Sequence, residues 1–169
     1  WLYEIFGLVP PSTTSDNRPM AWATVGAACM IAHQVAGKAA RDGFFLMAYS
    51  PSDLPKMMAA AALLSVGLAI LSGKVLQRLR PRILIPFTFG ISSLLHLAEW
   101  IALPIRPGVV APLIYLHNVG LGAILLSGFW LLLSEAFDLR EAKASFGRIA
   151  GAGTVGGIAG GLMAERIVT

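Results

Sequence analysis

The chain has 169 residues, of which 56% are hydrophobic and only 13% are charged, and its net charge is +4 at pH 7. A soluble domain carries about twice that share of charged residues. The mean hydropathy of +0.72 excludes a water-soluble globule and a disordered chain. The single Cys29 excludes a disulfide scaffold. The composition therefore predicts an all-α fold, a polytopic membrane helix bundle.

Five apolar stretches are each long enough to cross a bilayer core of about 30 Å as a helix. They cover about 20–49, 55–73, 83–103, 112–134 and 146–167, and the short loops between them predict antiparallel neighbours. Residues 1–19 are instead predicted to form a short interfacial segment followed by a polar linker, and they are no signal peptide because they lack a basic start and their apolar run is too short. The chain has no initiator Met and stops soon after the fifth stretch, so we expect a fragment of a longer protein.

Basic residues are concentrated in the loop between the second and third stretches, which contains Lys74, Arg78, Arg80 and Arg82. The positive-inside rule places this loop in the cytoplasm and the loop 104–111, with its single Arg106, outside. The N-terminus is then cytoplasmic, and we expect a multi-pass protein of the cell (inner) membrane. This topology explains the positive charge without nucleic acid. The expected partners are the lipid bilayer and the remaining helices of the same protein or other membrane subunits.

The first predicted helix carries the densest group of polar residues, including His33. Gln34, Lys38 and Arg41 fall on one stripe of that helix, and Asp42 lies at its edge within i,i+4 reach of Lys38. One interpretation is a cavity-facing stripe that binds an anionic small molecule. The other is a solvated flank beyond a membrane span that ends near residue 37.

His96 and Glu99 in the third predicted helix and His117 in the fourth are expected at similar depths. Glu99 lies about 25 Å beyond Arg82 along the helix, so it could mark the headgroup region beside Trp100. We interpret the two histidines as hydrogen-bonded packing residues. They could also ligate a metal with Glu99, but the sequence shows no tight ligand spacing. No metal and no cofactor are therefore expected.

Residues 151–156 match the dinucleotide fingerprint GxGxxG, but no strand is predicted before them and no acidic residue follows on a second strand. The glycines are instead spaced so that two helices can approach closely. We therefore predict a helix-packing surface made of Gly153, Gly156, Gly157, Gly160 and Gly161.

Two segments resemble known transporters. The loop from Gly73 to Arg82 is similar to the loop between helices two and three of the major facilitator superfamily, with Gln77 in place of the usual Asp. Positive-inside charge alone also accounts for this loop. Phe129-Trp130, Glu141-Ala-Lys143 and the following Phe-Gly and glycine-rich helix resemble helices four and five of the ATP/ADP (nucleotide) translocase family, which belongs to the same clan.

The resemblance implies five of the first six helices of a twelve-helix transporter, with substrate bound at the midplane between two halves. Lys38 corresponds to a lysine that the family uses in nucleotide transport. The predicted substrate-binding residues are Gln34, Lys38, Arg41, Asp42 and Glu135. The predicted conformational residues are Gly73, Arg78, Arg82, Glu141 and Lys143.

The expected function is therefore secondary transport, the exchange of an anionic metabolite by alternating access. The alternative is a non-transporting structural subunit that packs within a larger membrane complex. An enzyme is not expected, because the sequence contains no nucleophile–base arrangement and no paired general acid and base.

Overall fold

A computed structural model of the protein describes residues 18–137 and 139–168, with the side chains of the last helix described from 145 to 166. Within these residues the chain forms five α-helices and no strand. The helices are α1 (Arg18–Ala48), α2 (Leu54–Leu76), α3 (Pro81–Ala102), α4 (Pro107–Ala136) and α5 (Leu139–Val168), and a 3-10 turn at Pro51–Asp53 precedes α2. The all-α fold class is confirmed. The predicted interfacial segment 1–19 lies outside the described residues, apart from the two that begin α1.

Prolines stand at the beginnings of the three central helices. Pro55 is the second residue of α2, and Pro81 and Pro107 are the first residues of α3 and α4. A proline is suited to these positions because the backbone N–H that it lacks would have no partner in the first turn. α4 thus begins five residues before the predicted 112, and Pro112 lies within the helix. α5 begins at Leu139 rather than at the predicted 146. The prediction marked only the apolar part of the helix, and the polar residues before it are also helical.

Three of the described helices are long and apolar enough to cross a membrane. They are α2 with its preceding turn (Pro51–Leu76), α3 and α4. The other two helices have the length, 31 residues in α1 and 30 in α5, but they carry more charged and small residues. A helical membrane bundle therefore fits the structure, and five membrane crossings stay a prediction.

α4 lies at the centre of the bundle and packs against α1, α2 and α3, whereas α5 packs mainly against α1. Near the C-terminal end of α1, buried Phe45 contacts Tyr115 of α4 in an edge-to-face arrangement, with ring centroids 5.5 Å apart. Near the other end, Ala23 and Ala27 of α1 form a core cluster with Leu133 and Ile149. The central position of α4 brings α1 and α3 to its two sides.

The interface between α1 and α5 is made of small residues. A Cβ added at Gly156 would lie 2.7 Å from Cα of Ala28, and one added at Gly160 would lie 2.8 Å from Cα of Ala32. The two backbones are therefore in direct contact at these glycines, which is the arrangement that small residues four apart allow.

The remaining members of the predicted glycine surface differ in their surroundings. Gly153 and Gly157 face the side chain of Ile31, whereas nothing lies within 4 Å of a Cβ built at Gly161. α5 is helical throughout 139–168, so within the described residues no strand precedes the GxGxxG sequence. The dinucleotide fingerprint therefore lacks its structural context.

Candidate functional site

A continuous chain of hydrogen bonds joins α1, α3 and α4. His33 Nε2 of α1 lies 3.2 Å from His96 Nε2 of α3, and His96 Nδ1 lies 3.0 Å from Glu99 Oε2. The other carboxylate oxygen, Glu99 Oε1, is 2.8 Å from His117 Nδ1 of α4, and His117 Nε2 is 2.9 Å from Ser92 Oγ. We call these five residues the histidine–glutamate network.

The network forms because of helix periodicity in α3. Ser92, His96 and Glu99 are spaced four and three residues apart, so they share one face of that helix. His117 faces them from α4, with its ring centroid 4.2 Å from that of His96. His117 lies about 15 Å along α4 from the first residue of the helix. If α4 were centred in a bilayer core of about 30 Å, the network would lie within the hydrocarbon layer.

Burial increases from α1 towards α4. The side chains of His96, Glu99 and His117 are 32%, 12% and 6% exposed, and Ser92 is buried. Glu99 therefore accepts hydrogen bonds inside the bundle, whereas the neighbouring Trp100 is exposed. The structure shows the hydrogen-bonded packing that was one interpretation of these residues.

The positions of the protons follow from the partners. An ionised Glu99 only accepts, so both Nδ1–H groups donate to it. His117 Nε2 then accepts the Ser92 hydroxyl proton when the ring is neutral. If His33 gains a proton on Nδ1, it can pass the proton on its Nε2 to Nε2 of His96. The hydrogen bond between the two rings is kept, with donor and acceptor exchanged.

The same side chains offer metal-ligand atoms. His96, Glu99 and His117 each offer one ligand atom, and these three atoms lie within 4.8 Å of one another. Among the described residues, no Lys or Arg side chain pairs with Glu99. Among the described residues, the partners of this carboxylate are therefore the imidazoles, which carry a positive charge when protonated.

An apolar cavity of about 580 Å³ lies between α1, α3 and α4 and extends from the helix ends at Pro19 and Phe137 to His33. Its polar lining side chains are those of Cys29, His33 and Ser93. It occupies the halves of these helices that the basic loop predicts to be cytoplasmic. His33, at the end of the cavity away from Pro19 and Phe137, is the member of the histidine–glutamate network that lines it.

The predicted stripe of α1 is divided among different contacts. Gln34 donates a hydrogen bond of 2.9 Å to the Gly122 carbonyl of α4, and Lys38 is exposed. The Arg41 guanidinium lies 4.7 Å from the centroid of the Tyr115 ring, and its Nε donates to Asp42 Oδ1 at 3.1 Å. Asp42 thus pairs with Arg41 and not with Lys38, the i,i+4 partner. α1 continues without a break to Ala48, beyond this charged segment.

Glu135 is not near that stripe. It lies about 20 Å along α4 from the carbonyl that Gln34 contacts. Its carboxylate is 3.5 Å from Arg82 Nε, so it joins the end of α4 to the beginning of α3. Gly73 and Arg78 are exposed, and the side chains of Glu141 and Lys143 lie outside the described residues. The predicted substrate residues therefore do not form one continuous site.

The network was only partly visible in the sequence. Its histidines and Glu99 are noticeable because ionisable residues are rare in apolar helices. Their convergence depends on which faces of three helices meet, and i,i+4 spacing within one helix does not predict this. The depth match between His96 and His117 was the available signal.

Comparisons with known proteins find no matching family profile, no matching curated protein and no matching solved structure. The resemblance to nucleotide translocases therefore depends on the sequence segments that carry it.

Proposed function

We propose that the protein is part of a secondary membrane transporter that exchanges an anionic metabolite by alternating access. The observation that carries the proposal is the histidine–glutamate network, which joins the cavity between α1, α3 and α4 at His33. Ionisable side chains that face one another inside apolar helices mark ion and substrate pathways in membrane proteins.

The shape of the cavity supports this proposal. Between α1 and α3 it reaches from one end of the helices to His33, where the His33–His96 contact bridges these two helices. A cavity that enters the bundle from one side is the kind of site that an alternating-access transporter needs. In such transporters, access changes when one half of the protein rocks against the other.

The proposal assigns Lys38 to the substrate. Lys38 is exposed and has no hydrogen-bond or ion-pair partner among the described residues, whereas the neighbouring Arg41 is held by Tyr115 and Asp42. A flexible ammonium without a fixed partner is suited to follow a moving phosphate. The anionic metabolite that the family resemblance implies is a nucleotide.

The first experiment tests the topology on which the orientation of the cavity depends. Gln77 and Gly108 are both exposed, and the free Cys29 is removed first. A cysteine at residue 108 should react with an impermeant thiol reagent added outside intact cells, and a cysteine at residue 77 should react only after the cells are opened. Labelling of residue 77 from outside would overturn the proposed orientation.

The second experiment measures exchange of radiolabelled ADP by the full-length protein in proteoliposomes. We expect Lys38→Gln to abolish uptake, and Lys56→Gln to leave it unchanged because the Lys56 side chain is 81% exposed and pairs with Asp53 in a turn. Adding Asp42→Asn to Lys38→Gln should not restore uptake, since Asp42 pairs with Arg41. Normal uptake by Lys38→Gln would show that this lysine does not bind the substrate.

A structural membrane subunit is the second candidate function. The observation that favours it is the exposed apolar surface of α2, where Leu63 is 76% and Val66 60% exposed. Such a surface contacts either lipid or further protein helices. Absence of nucleotide exchange by the folded protein, together with an intact complex with another membrane subunit, would support this candidate over transport.

A further inference from the structure

We propose that His96, Glu99 and His117 bind a borderline divalent cation of the Zn²⁺ class. The inference does not depend on the transport proposal, because it concerns the ligand atoms of one cluster and is tested by metal binding. Two imidazoles and one carboxylate are a recurrent set of protein ligands for zinc, with a further position left open.

The distances fit such a site. Zinc bonds of about 2.1 Å place tetrahedral ligand atoms about 3.4 Å apart. The Nδ1 atoms of His96 and His117 are now 3.0 and 2.8 Å from the two oxygens of Glu99, and all three ligand atoms lie within 4.8 Å of one another. Both imidazoles already turn the same ring nitrogen towards the carboxylate, so small side-chain shifts are enough to admit the ion.

The outer hydrogen bonds fit as well. A histidine that binds metal through Nδ1 carries its proton on Nε2, and that proton needs an acceptor. His117 Nε2 lies 2.9 Å from Ser92 Oγ, and His96 Nε2 lies 3.2 Å from His33 Nε2. Each of the two proposed histidine ligands thus has a hydrogen-bond partner on its far side, as metal-binding histidines need for their orientation.

Charge and access also favour a cation. Glu99 is largely buried and, among the described residues, has only imidazoles as partners. A carboxylate in apolar surroundings is unfavourable without a positive charge beside it. The His96 side chain is 32% exposed, so an ion can reach the cluster from that side.

The experiment uses the untagged protein in lipid nanodiscs, because a histidine tag would itself bind zinc. We expect saturable binding of one Zn²⁺ per chain by calorimetry, and no binding of Mg²⁺, which prefers oxygen ligands. Co²⁺ in place of zinc should give the intense visible absorption of a four-coordinate ion. Absence of saturable zinc binding by the folded protein would overturn the proposal.

Variants assign the ligands. Glu99→Gln and His117→Ala should abolish saturable binding, whereas Glu165→Gln, an exposed glutamate at the end of α5, should bind zinc normally. His33→Ala should weaken binding by about 10–100-fold, as expected for an outer partner. If a ligand variant fails to fold, the Co²⁺ spectrum of the unmodified protein still tests the site. Zinc binding that is unchanged in a folded Glu99→Gln variant would show that the ion binds elsewhere.

Discussion

α1 has two very different interfaces. Towards α5 its backbone touches the backbone of its neighbour, at Ala28 against Gly156 and at Ala32 against Gly160. Towards α3 it is separated by a cavity and is bridged by the hydrogen bond between His33 and His96. Backbone contact leaves no room for rearrangement, whereas a side-chain bridge can break and form again. From this comparison we expect any rearrangement of the bundle to fall between α1 and α3, with α1 and α5 remaining packed as one unit.

The largest expected effect comes from filling the α1–α5 contact. In Gly156→Ala the added Cβ would lie 2.6 Å from the carbonyl carbon of Ala28, and a backbone atom cannot rotate away. We expect a loss of about 1–3 kcal/mol in the free energy of unfolding, and a larger loss for Gly156→Leu. Reversible unfolding in mixed micelles, followed by circular dichroism, measures this difference.

Gly161→Ala is the matched control, because it lies in the same helix with nothing within 4 Å of the added Cβ. Alanine is favoured over glycine in a helix by about 0.5–1 kcal/mol, so this variant should be as stable as the original protein or more stable. Equal destabilisation by the two substitutions would mean that α1 and α5 are not in close backbone contact.

The next largest loss of stability is expected at the buried end of the histidine–glutamate network, at Ser92. Ser92 is 4% exposed and its hydroxyl is bonded to His117, so Ser92→Ala leaves a buried ring nitrogen without a partner. We expect this variant to lose about 1 kcal/mol in the free energy of unfolding.

The adjacent Ser93 provides the control for this prediction. It is exposed, and its hydroxyl donates to the Phe89 carbonyl within α3. Ser93→Ala should therefore leave the free energy of unfolding unchanged within error. A larger loss for Ser93→Ala than for Ser92→Ala would contradict the assigned network.

The fold could be predicted further than the site. Apolar length is a local signal and is enough to predict the helices, whereas α4 begins at Pro107, five residues before the predicted start. The early start of α5 was missed because hydropathy does not distinguish a polar helical turn from a loop. Whether α1 crosses the membrane depends on what its charged residues contact. Hydropathy does not reveal these contacts.

The site depends on contacts between helices, and these were not predictable from one sequence. Arg41 was placed on a substrate-facing stripe with Lys38, yet its guanidinium packs on Tyr115 of α4. Glu135 of α4 is predicted to bind substrate together with the α1 residues, but its carboxylate pairs with Arg82 at the beginning of α3. Helix spacing predicts which residues share a face, whereas the rotation of each helix decides what that face meets.

The smallest energetic effect, and the one that tests the comparison most directly, is expected for His33→Ala. His33 is exposed, so losing its hydrogen bond to His96 should lower the free energy of unfolding by less than about 1 kcal/mol. The same bond bridges α1 and α3 across the cavity, however, so its loss should broaden the distance distribution between spin labels at Val25 and Phe87.

Gln34→Ala is the control, because it removes a side-chain bond between α1 and α4, which also pack directly. Its label distances should stay narrow. Distributions of equal width in His33→Ala and the original protein would show that packing, not the histidine pair, holds α1 against α3.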